Sequence, residues 1–458
     1  MIMQKIIKFL SILLTTTLVI TNSACKLNGN DNLDLLLAFL IVSDATATGT
    51  PDGTAPGEVS ALVASSANGQ IVLSWTDPTD GDFDHVEITW SPGGATVQTI
   101  ASGVQSYTAT GLTNGTLYTF TVKTVDSTGN VSTGTIITYT PRPVAEQSSY
   151  TADAVTFNMR YVPGKIFLTG TDNSGTGTVN AGYWMAETEV TYELWSKVYI
   201  WASGDSNMNG VIDGVEVAGD YNISHPGVMG DGTGDTIQHP VTTVSWRDVM
   251  VWTNALTEWY NVQTGSTYEP VYYSDSSYIN PIRTSTDTAT VNTTPGTQDA
   301  PYIKLSAKGF RLPTSNEWEL AARYISDSNN DGSIIDSGEY YPGDFSSGAD
   351  AKFDITTGAS DYDGDSDVEY TADVSIYSVN SGFSTAVVKS MSPNALGIYD
   401  MSGNVAELNF DWNIFGTVRV SRGGTCAQTA DKMQIGLVNS TNPYTGYNAT
   451  GFRPVRTE

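Results

Sequence analysis

Phe310-Arg311-Leu312-Pro313-Thr314-Ser315-Asn316-Glu317-Trp318-Glu319, continued by Ala321-Ala322-Arg323, is the stretch on which the reading of the fold turns. It passes from an extended run through a proline into a helix start. A Thr or Ser oxygen can accept the free N–H groups of a first turn, so Thr314 or Ser315 caps a helix predicted to reach Tyr324. A second helix is predicted from Trp246 to Tyr260, with apolar residues at helical spacing behind a Ser245 cap. Tyr192 to Ala202 is a weaker third candidate. The rest of this half of the chain reads as short strands, Gly-rich turns and long polar loops. Loops of that length in a compact domain are usually functional or held by metal.

Further blocks stand in a fixed order around this stretch. They are Met159-Arg-Tyr-Val-Pro-Gly-Lys-Ile-Phe-Leu-Thr-Gly, Met185-Ala-Glu-Thr-Glu-Val-Thr, His239-Pro240-Val241 with Val244-Ser245-Trp246-Arg247-Asp248, and Asn394 with Gly397-Ile-Tyr-Asp-Met-Ser-Gly-Asn-Val-Ala-Glu407. Arg422-Gly423-Gly424 and Gly451-Phe452-Arg453 close the series. Together with the Phe310–Arg323 stretch they resemble the formylglycine-generating enzyme (sulfatase-modifying factor) family. The resemblance places a domain over residues 150–458 and implies a C-type-lectin-like α+β fold with little regular secondary structure.

Residues 56–141 differ in period. Val59-Ser-Ala-Leu-Val, Ile71-Val-Leu-Ser-Trp, His85-Val-Glu-Ile-Thr-Trp and Tyr118-Thr-Phe-Thr-Val-Lys alternate with a period of two between regular turns, which argues for an all-β sandwich. Trp75, Leu112 and Tyr118 fall where fibronectin type III domains keep their core, and the segment resembles that family. Such domains are spacers or adhesive modules. The fold class is therefore multidomain: an all-β fibronectin type III sandwich followed by the α+β domain.

The N-terminus reads as a targeting segment over residues 1–24. Lys5 and Lys8 precede an apolar run from Phe9 to Ile20, and Ser23-Ala24-Cys25 resembles a bacterial lipobox, with Asn22 departing from its usual aliphatic residue. Cleavage there would leave Cys25 for acylation, and several acyl chains hold a protein firmly on a membrane. Residues 25–55 form a tether. The chain carries 49 acidic against 21 basic residues, a formal net charge of −28, which excludes nucleic acid as a partner because its binding needs clustered Lys and Arg. Cys25 and Cys426 are its two cysteines, so lipidation of the first rules out an intrachain disulfide. Localisation is expected to be extracytoplasmic, as an outer-membrane or cell-surface lipoprotein.

Calcium is the expected cofactor. In the resembled family the block at 400–407 wraps this ion, and by position Asp400 and Glu407 supply carboxylates while Gly403 and Val405 supply carbonyls. Independently of any family, Asp205, Asn207, Asn209, Asp213 and Glu216 around Gly210 satisfy an EF-hand loop pattern position by position. Asp327, Asn329 and Asp331 begin a related loop, whose terminal acid, Glu339, falls one residue late. Asp361-Tyr-Asp363-Gly-Asp365-Ser-Asp367 is also rich in carboxylates.

Catalysis is another matter. Catalytic members of the resembled family bind copper through two cysteines after the Arg-Gly-Gly. Counting from Gly424, those positions hold Gln428 and Met433, and neither offers the thiolate that Cu(I) requires. Cys426 is alone and two residues early. A related branch uses three histidines for iron; of His85, His225 and His239 the first lies in the fibronectin-like segment. Copper is thus not expected, and no catalytic residue is assigned. The stretch from Gly424 to Gly451 instead resembles the ligand-binding segment of lectin-fold proteins diversified by retroelements, with Gln428, Lys432, Met433, Leu437, Val438, Thr441, Tyr444, Thr445 and Tyr447 as expected ligand-facing residues. The expected function is binding of a protein or glycan by a lipid-anchored surface protein. A formylglycine-generating oxidase or other enzyme of the family is the first alternative, and a structural envelope protein the second.

Overall fold

The computed structural model describes residues 53–205, 220–231, 234–329, 333–352, 370–413 and 415–458. The targeting segment and most of the tether, including Cys25, lie outside the described residues.

Seven strands open the described chain: β1 (Ser60–Ala67), β2 (Gln70–Thr76), β3 (Phe83–Ser91), β4 (Gly94–Ala101), β5 (Ser106–Thr110), β6 (Tyr118–Asp126) and β7 (Thr135–Tyr139). They form two sheets, β1-β2-β5 and β4-β3-β6-β7, whose inner faces meet. The period-two pattern is what packs them. Ile71, Leu73 and Trp75 of β2 and Tyr118, Phe120 and Val122 of β6 are all buried, with intermediate neighbours between them. Tyr118 pins the preceding turn, its phenol oxygen accepting the Thr113 N–H at 3.0 Å. This is the sandwich that the alternation predicts. Strands β4, β5 and β7, whose patterns are weaker, come from pairing with their neighbours.

The second domain is built round a five-stranded sheet. From edge to edge it contains Phe310–Arg311, Val455–Thr457, Tyr183–Ala186, Val155–Val162 and Gln147–Ala152. The last residues of the chain therefore lie antiparallel to Tyr183–Met185, which draws both ends of the domain into one sheet. Arg142, between the domains, forks to Glu458 at 2.5 Å and Glu146 at 3.1 Å and lies over the Tyr161 and Trp184 rings.

Three helices cover the sheet: α1 (Tyr192–Ser203), α2 (Trp246–Thr264) and α3 (Ser315–Arg323). Ser245 and Thr314 cap α2 and α3, each in a reciprocal capping box with the acid three residues on, Asp248 and Glu317. α2 runs four residues beyond the Tyr260 expected from periodicity and stops at Gly265, whose φ of +74° is left-handed. Almost every side chain of its first three turns is buried, which dilutes the amphipathic signal. Trp195 of α1 stacks on Trp252 of α2 at 5.2 Å. Phe452 meets both rings edge-on, so the Phe of Gly-Phe-Arg is a core wedge between two helices.

Asp248 joins α2 to the loops above it. It is fully buried and accepts hydrogen bonds from the Ser224 N–H at 3.0 Å, His225 Nδ1 at 2.6 Å, the Ser245 N–H and hydroxyl, and the Ser285 hydroxyl at 2.6 Å. Burial would raise its carboxyl, but the His225 bond and the hydroxyls outweigh that and hold it below its ordinary 3.8. The same bond to Asp248 raises His225 above 6.5, against the effect of burial. The His225 contribution to stability is thus complete below 6.5 and lost as pH rises through the raised value, whereas that of Asp248 is present above 3.8 and lost as pH falls through the depressed one. Melting temperatures of the wild type are expected to fall from mildly acidic to mildly alkaline pH, and His225→Gln should flatten that slope.

Candidate functional site

The C-terminal motifs converge on a four-stranded sheet ordered Asn439–Thr441, Arg419–Arg422, Ala406–Trp412 and Thr450–Gly451. Glu407 lies in register with Arg422 on one side and Gly451 on the other. It does not use its backbone alone. Arg453 forks onto both carboxylate oxygens, at 2.7 and 2.6 Å, and the Trp318 indole N–H donates to Oε2 at 2.8 Å. The remaining Arg453 N–H groups reach the Ala186 and Tyr399 carbonyls. All three side chains are fully buried or nearly so.

Comparable forks hold the other motifs. Arg422 reaches Glu319 at 2.8 Å, the Ser315 hydroxyl and the Ile435 carbonyl. Glu319 in turn holds Arg323 and the Gly170 N–H. Arg311 grips Glu317 at 2.7 and 2.6 Å, and Arg247 grips Asp299 at 2.7 and 2.8 Å. A bidentate guanidinium–carboxylate pair satisfies both partners in fixed geometry, which is what allows such charges to be buried.

Beyond Arg422, Gly423 and Gly424 take φ of +91° and +77° and turn the chain out of the sheet. A Cβ on Gly424 would stand 2.5 Å from Met433 Cε and 2.6 Å from the Lys432 carbonyl oxygen, so the loop closes tightly over Met433. Beside it is an open cleft of about 380 Å³. Its polar wall comes from Thr425, Gln428, Asn439, Ser440, Thr441 and Tyr447, and none of its lining residues is charged. Thr441 is 7 % exposed, and its hydroxyl has no hydrogen-bond partner among the described residues; the same holds for the buried Oε1 of Gln428.

Of the residues expected to face a ligand, Gln428, Thr441 and Tyr447 meet in this cleft. Met433 does not belong to the surface. It is fully buried beneath Gly424, and its carbonyl accepts the Ser402 hydroxyl at 2.9 Å. Alternation along the loop could not distinguish a supporting Met from a contact residue. Lys432 and Val438 are exposed outside the cleft, with Lys432 paired to Asp431 at 2.8 Å. Leu437 and Thr445 are half-buried, and the Tyr444 ring lies 5.5 Å from the Arg247 guanidinium. Asn439 and Ser440 escaped the sequence reading; their signal was a short polar strand directly opposite Val420 and Ser421.

The residues present do not fit a copper site. The two cysteine positions hold an amide, Gln428, and a buried thioether, Met433. Cys426 is buried, and that burial pushes its thiol up to about 12, far from a thiolate at neutral pH.

For calcium, the carboxylate of Glu407 is committed to Arg453 and Trp318. Asp400 is buried with φ of +57°, accepts the Lys389 N–H at 2.8 Å, and is pushed up to about 6, chiefly by burial. Gly403 donates its N–H to Gly423 O, and Val405 donates to Glu189. This block is therefore held by a fork and backbone bonds. Asp205 is described, with the Tyr199 hydroxyl 3.3 Å from its carboxylate, while Asn207, Asn209, Asp213, Glu216, Asp331 and the 361–367 segment lie outside the described residues. Among the described residues no three Asp, Glu, His or Cys side chains converge.

The family description "Sulfatase-modifying factor enzyme 1-like domain" matches residues 148–458, and "Fibronectin type III domain" matches residues 54–140. The chain belongs to the sulfatase-modifying factor enzyme 1-like family. The resemblance read from the motifs is borne out, as is the two-part fold. A curated relative, "Chaperone protein LppX" of Paenibacillus barcinonensis, is 28 % identical over 203 residues, 43 % of this chain; the match spans 62 % of that relative, less than two thirds of its length. Similar solved structures include Treponema denticola variable protein 1 (26 % identical, 68 % of this chain and 99 % of that one, TM-score 0.46). CarF is 23 % identical over 69 % of this chain and 99 % of its own, with a TM-score of 0.43.

The Glu407 fork gives this family domain a sharp test. Arg453→Met leaves a buried carboxylate uncompensated and is expected to cost about 3–5 kcal/mol. Chemical denaturation measures it, and a loss below about 1 kcal/mol would show that the fork is replaceable.

Proposed function

We propose that this protein is an exported, lipid-anchored surface protein that binds a neutral, hydrogen-bonding ligand through its C-terminal cleft, with no oxidase chemistry. The fibronectin type III domain acts as the spacer that holds the cleft away from the membrane.

The observation that carries this reading is the polar state of the cleft. Gln428 Oε1 and Thr441 Oγ1 are buried beside it without partners among the described residues, and an unsatisfied buried polar atom is costly unless something hydrogen-bonds to it. The lining carries no charge, although the chain as a whole is strongly acidic. A ligand rich in hydroxyl or amide groups, a neutral glycan or a Ser/Thr-rich peptide, matches such a surface, with the Tyr447 ring available for stacking. The relative's description as a chaperone agrees with a role in binding. The buried, protonated Cys426 and the substituted copper positions argue against oxidation of a substrate thiol.

Binding to glycan and peptide arrays, followed by titration of the best hit, tests this. Thr441→Val and Gln428→Leu should each weaken binding roughly tenfold or more, since each removes a bond from a desolvated site. Arrays blank for both ligand classes would return the domain to a purely structural role. The anchor has its own readout: radiolabelled palmitate should mark the wild type and not Cys25→Ala, and the variant should leave the membrane fraction.

A further inference from the structure

Outside the cleft, the turn that follows α3 gathers acids in a way that the linear pattern does not show. Glu339 is 1 % exposed, and its backbone carbonyl accepts the Ile325 and Ser326 N–H groups at 3.0 and 3.1 Å. Its Oε1 accepts both the N–H and the hydroxyl of Ser328, at 2.8 and 2.7 Å. That places the Glu339 carboxylate against the residue next to Asp327. The Asp327 side chain is 7 % exposed, and one of its oxygens is paired with the buried Lys165 ammonium. The other oxygens of the two acids, Asp327 Oδ1 and Glu339 Oε2, are buried without a hydrogen-bond partner among the described residues. Asn329 and Asp336 stand at the exposed rim, joined at 3.0 Å.

We propose that Asp327 and Glu339 form a divalent-cation site, selective for calcium, at the junction between α3 and the fibronectin type III domain. Two carboxylate oxygens are left bare in a buried turn, and no hydrogen-bond donor among the described residues reaches them. A hard cation satisfies both, with water entering from the exposed rim at Asn329 to complete an all-oxygen shell. The single late residue that breaks the EF-hand register at Glu339 does not matter here, because the Ser328 bonds, rather than loop register, position that carboxylate. Lys165 neutralises one acid and leaves net negative charge for the ion. Lys165 and Asp327 also line the cleft of about 210 Å³ against Ser65, Ser66 and Ala67, so the site lies beside the fibronectin type III domain.

Calorimetric titration of the full-length, EDTA-stripped protein with calcium decides the matter. Glu339→Gln and Asp327→Asn should each bind one equivalent fewer than the wild type while keeping its circular dichroism spectrum. An unchanged number of equivalents in both variants overturns the proposal. Should either variant fail to fold, Lys165→Met provides the second reading. It leaves the acids unpaired, so its melting temperature in EDTA should drop and calcium should restore more of it than in the wild type. A calcium-induced rise no larger than that of the wild type also overturns the proposal.

Discussion

The contact between Arg453, Glu407 and Trp318 is the constraint on which the second domain depends. Arg453 comes from the last strand-and-turn of the chain, Glu407 from the centre of the four-stranded sheet, and Trp318 from α3. Few of these segments are stabilised by regular secondary structure of their own. A buried charge that only one geometry can satisfy fixes their relative positions. Phe452, one residue before, is simultaneously wedged against Trp195 and Trp252. The terminal motif thereby couples the apolar core around α1 and α2 to the second apolar core, which α3 shares with Tyr183, Met185 and Val455.

This division separates the frame of the domain from its C-terminal cleft. The forks of Arg247, Arg311, Arg422 and Arg453 involve none of the side chains that line the cleft. Gln428 and Thr441 can therefore change without disturbing a scaffold pair, whereas Met433, packed under the Gly424 turn, cannot. The cleft is shaped by main-chain turns and floored by strands, and its lining side chains stand free of the ion-pair network.

Acidity is distributed along the same lines. Acids that serve the frame are buried and matched with guanidinium groups or backbone donors, as Glu319 and Glu407 are. Among the described residues Asp327 and Glu339 depart from this, buried yet with one oxygen each unmatched. The net charge of −28 comes from acids placed elsewhere, while the lining of the C-terminal cleft stays uncharged.

By itself the sequence determined the sandwich, because alternation at Ile71, Leu73 and Trp75 has one buried solution. It also determined the family fold, because blocks such as Phe310–Arg323 and Gly397–Glu407 recur in order, and the helix starts, because Ser245 and Thr314 carry their capping partners three residues on. The absence of paired cysteines was equally plain from counting. Only the tertiary structure decided which residues of the C-terminal loop reach the cleft, sending Met433 inward and Thr441 to its wall, since burial there follows from Gly423 and Gly424 turning the chain and not from any period. It also decided that Glu407 serves Arg453, and that Glu339 takes the bonds of Ser328, the residue next to Asp327, despite the wrong spacing. Contacts between residues distant in sequence depend on how the loops are folded back by their hydrogen bonds, and linear spacing carries no record of that.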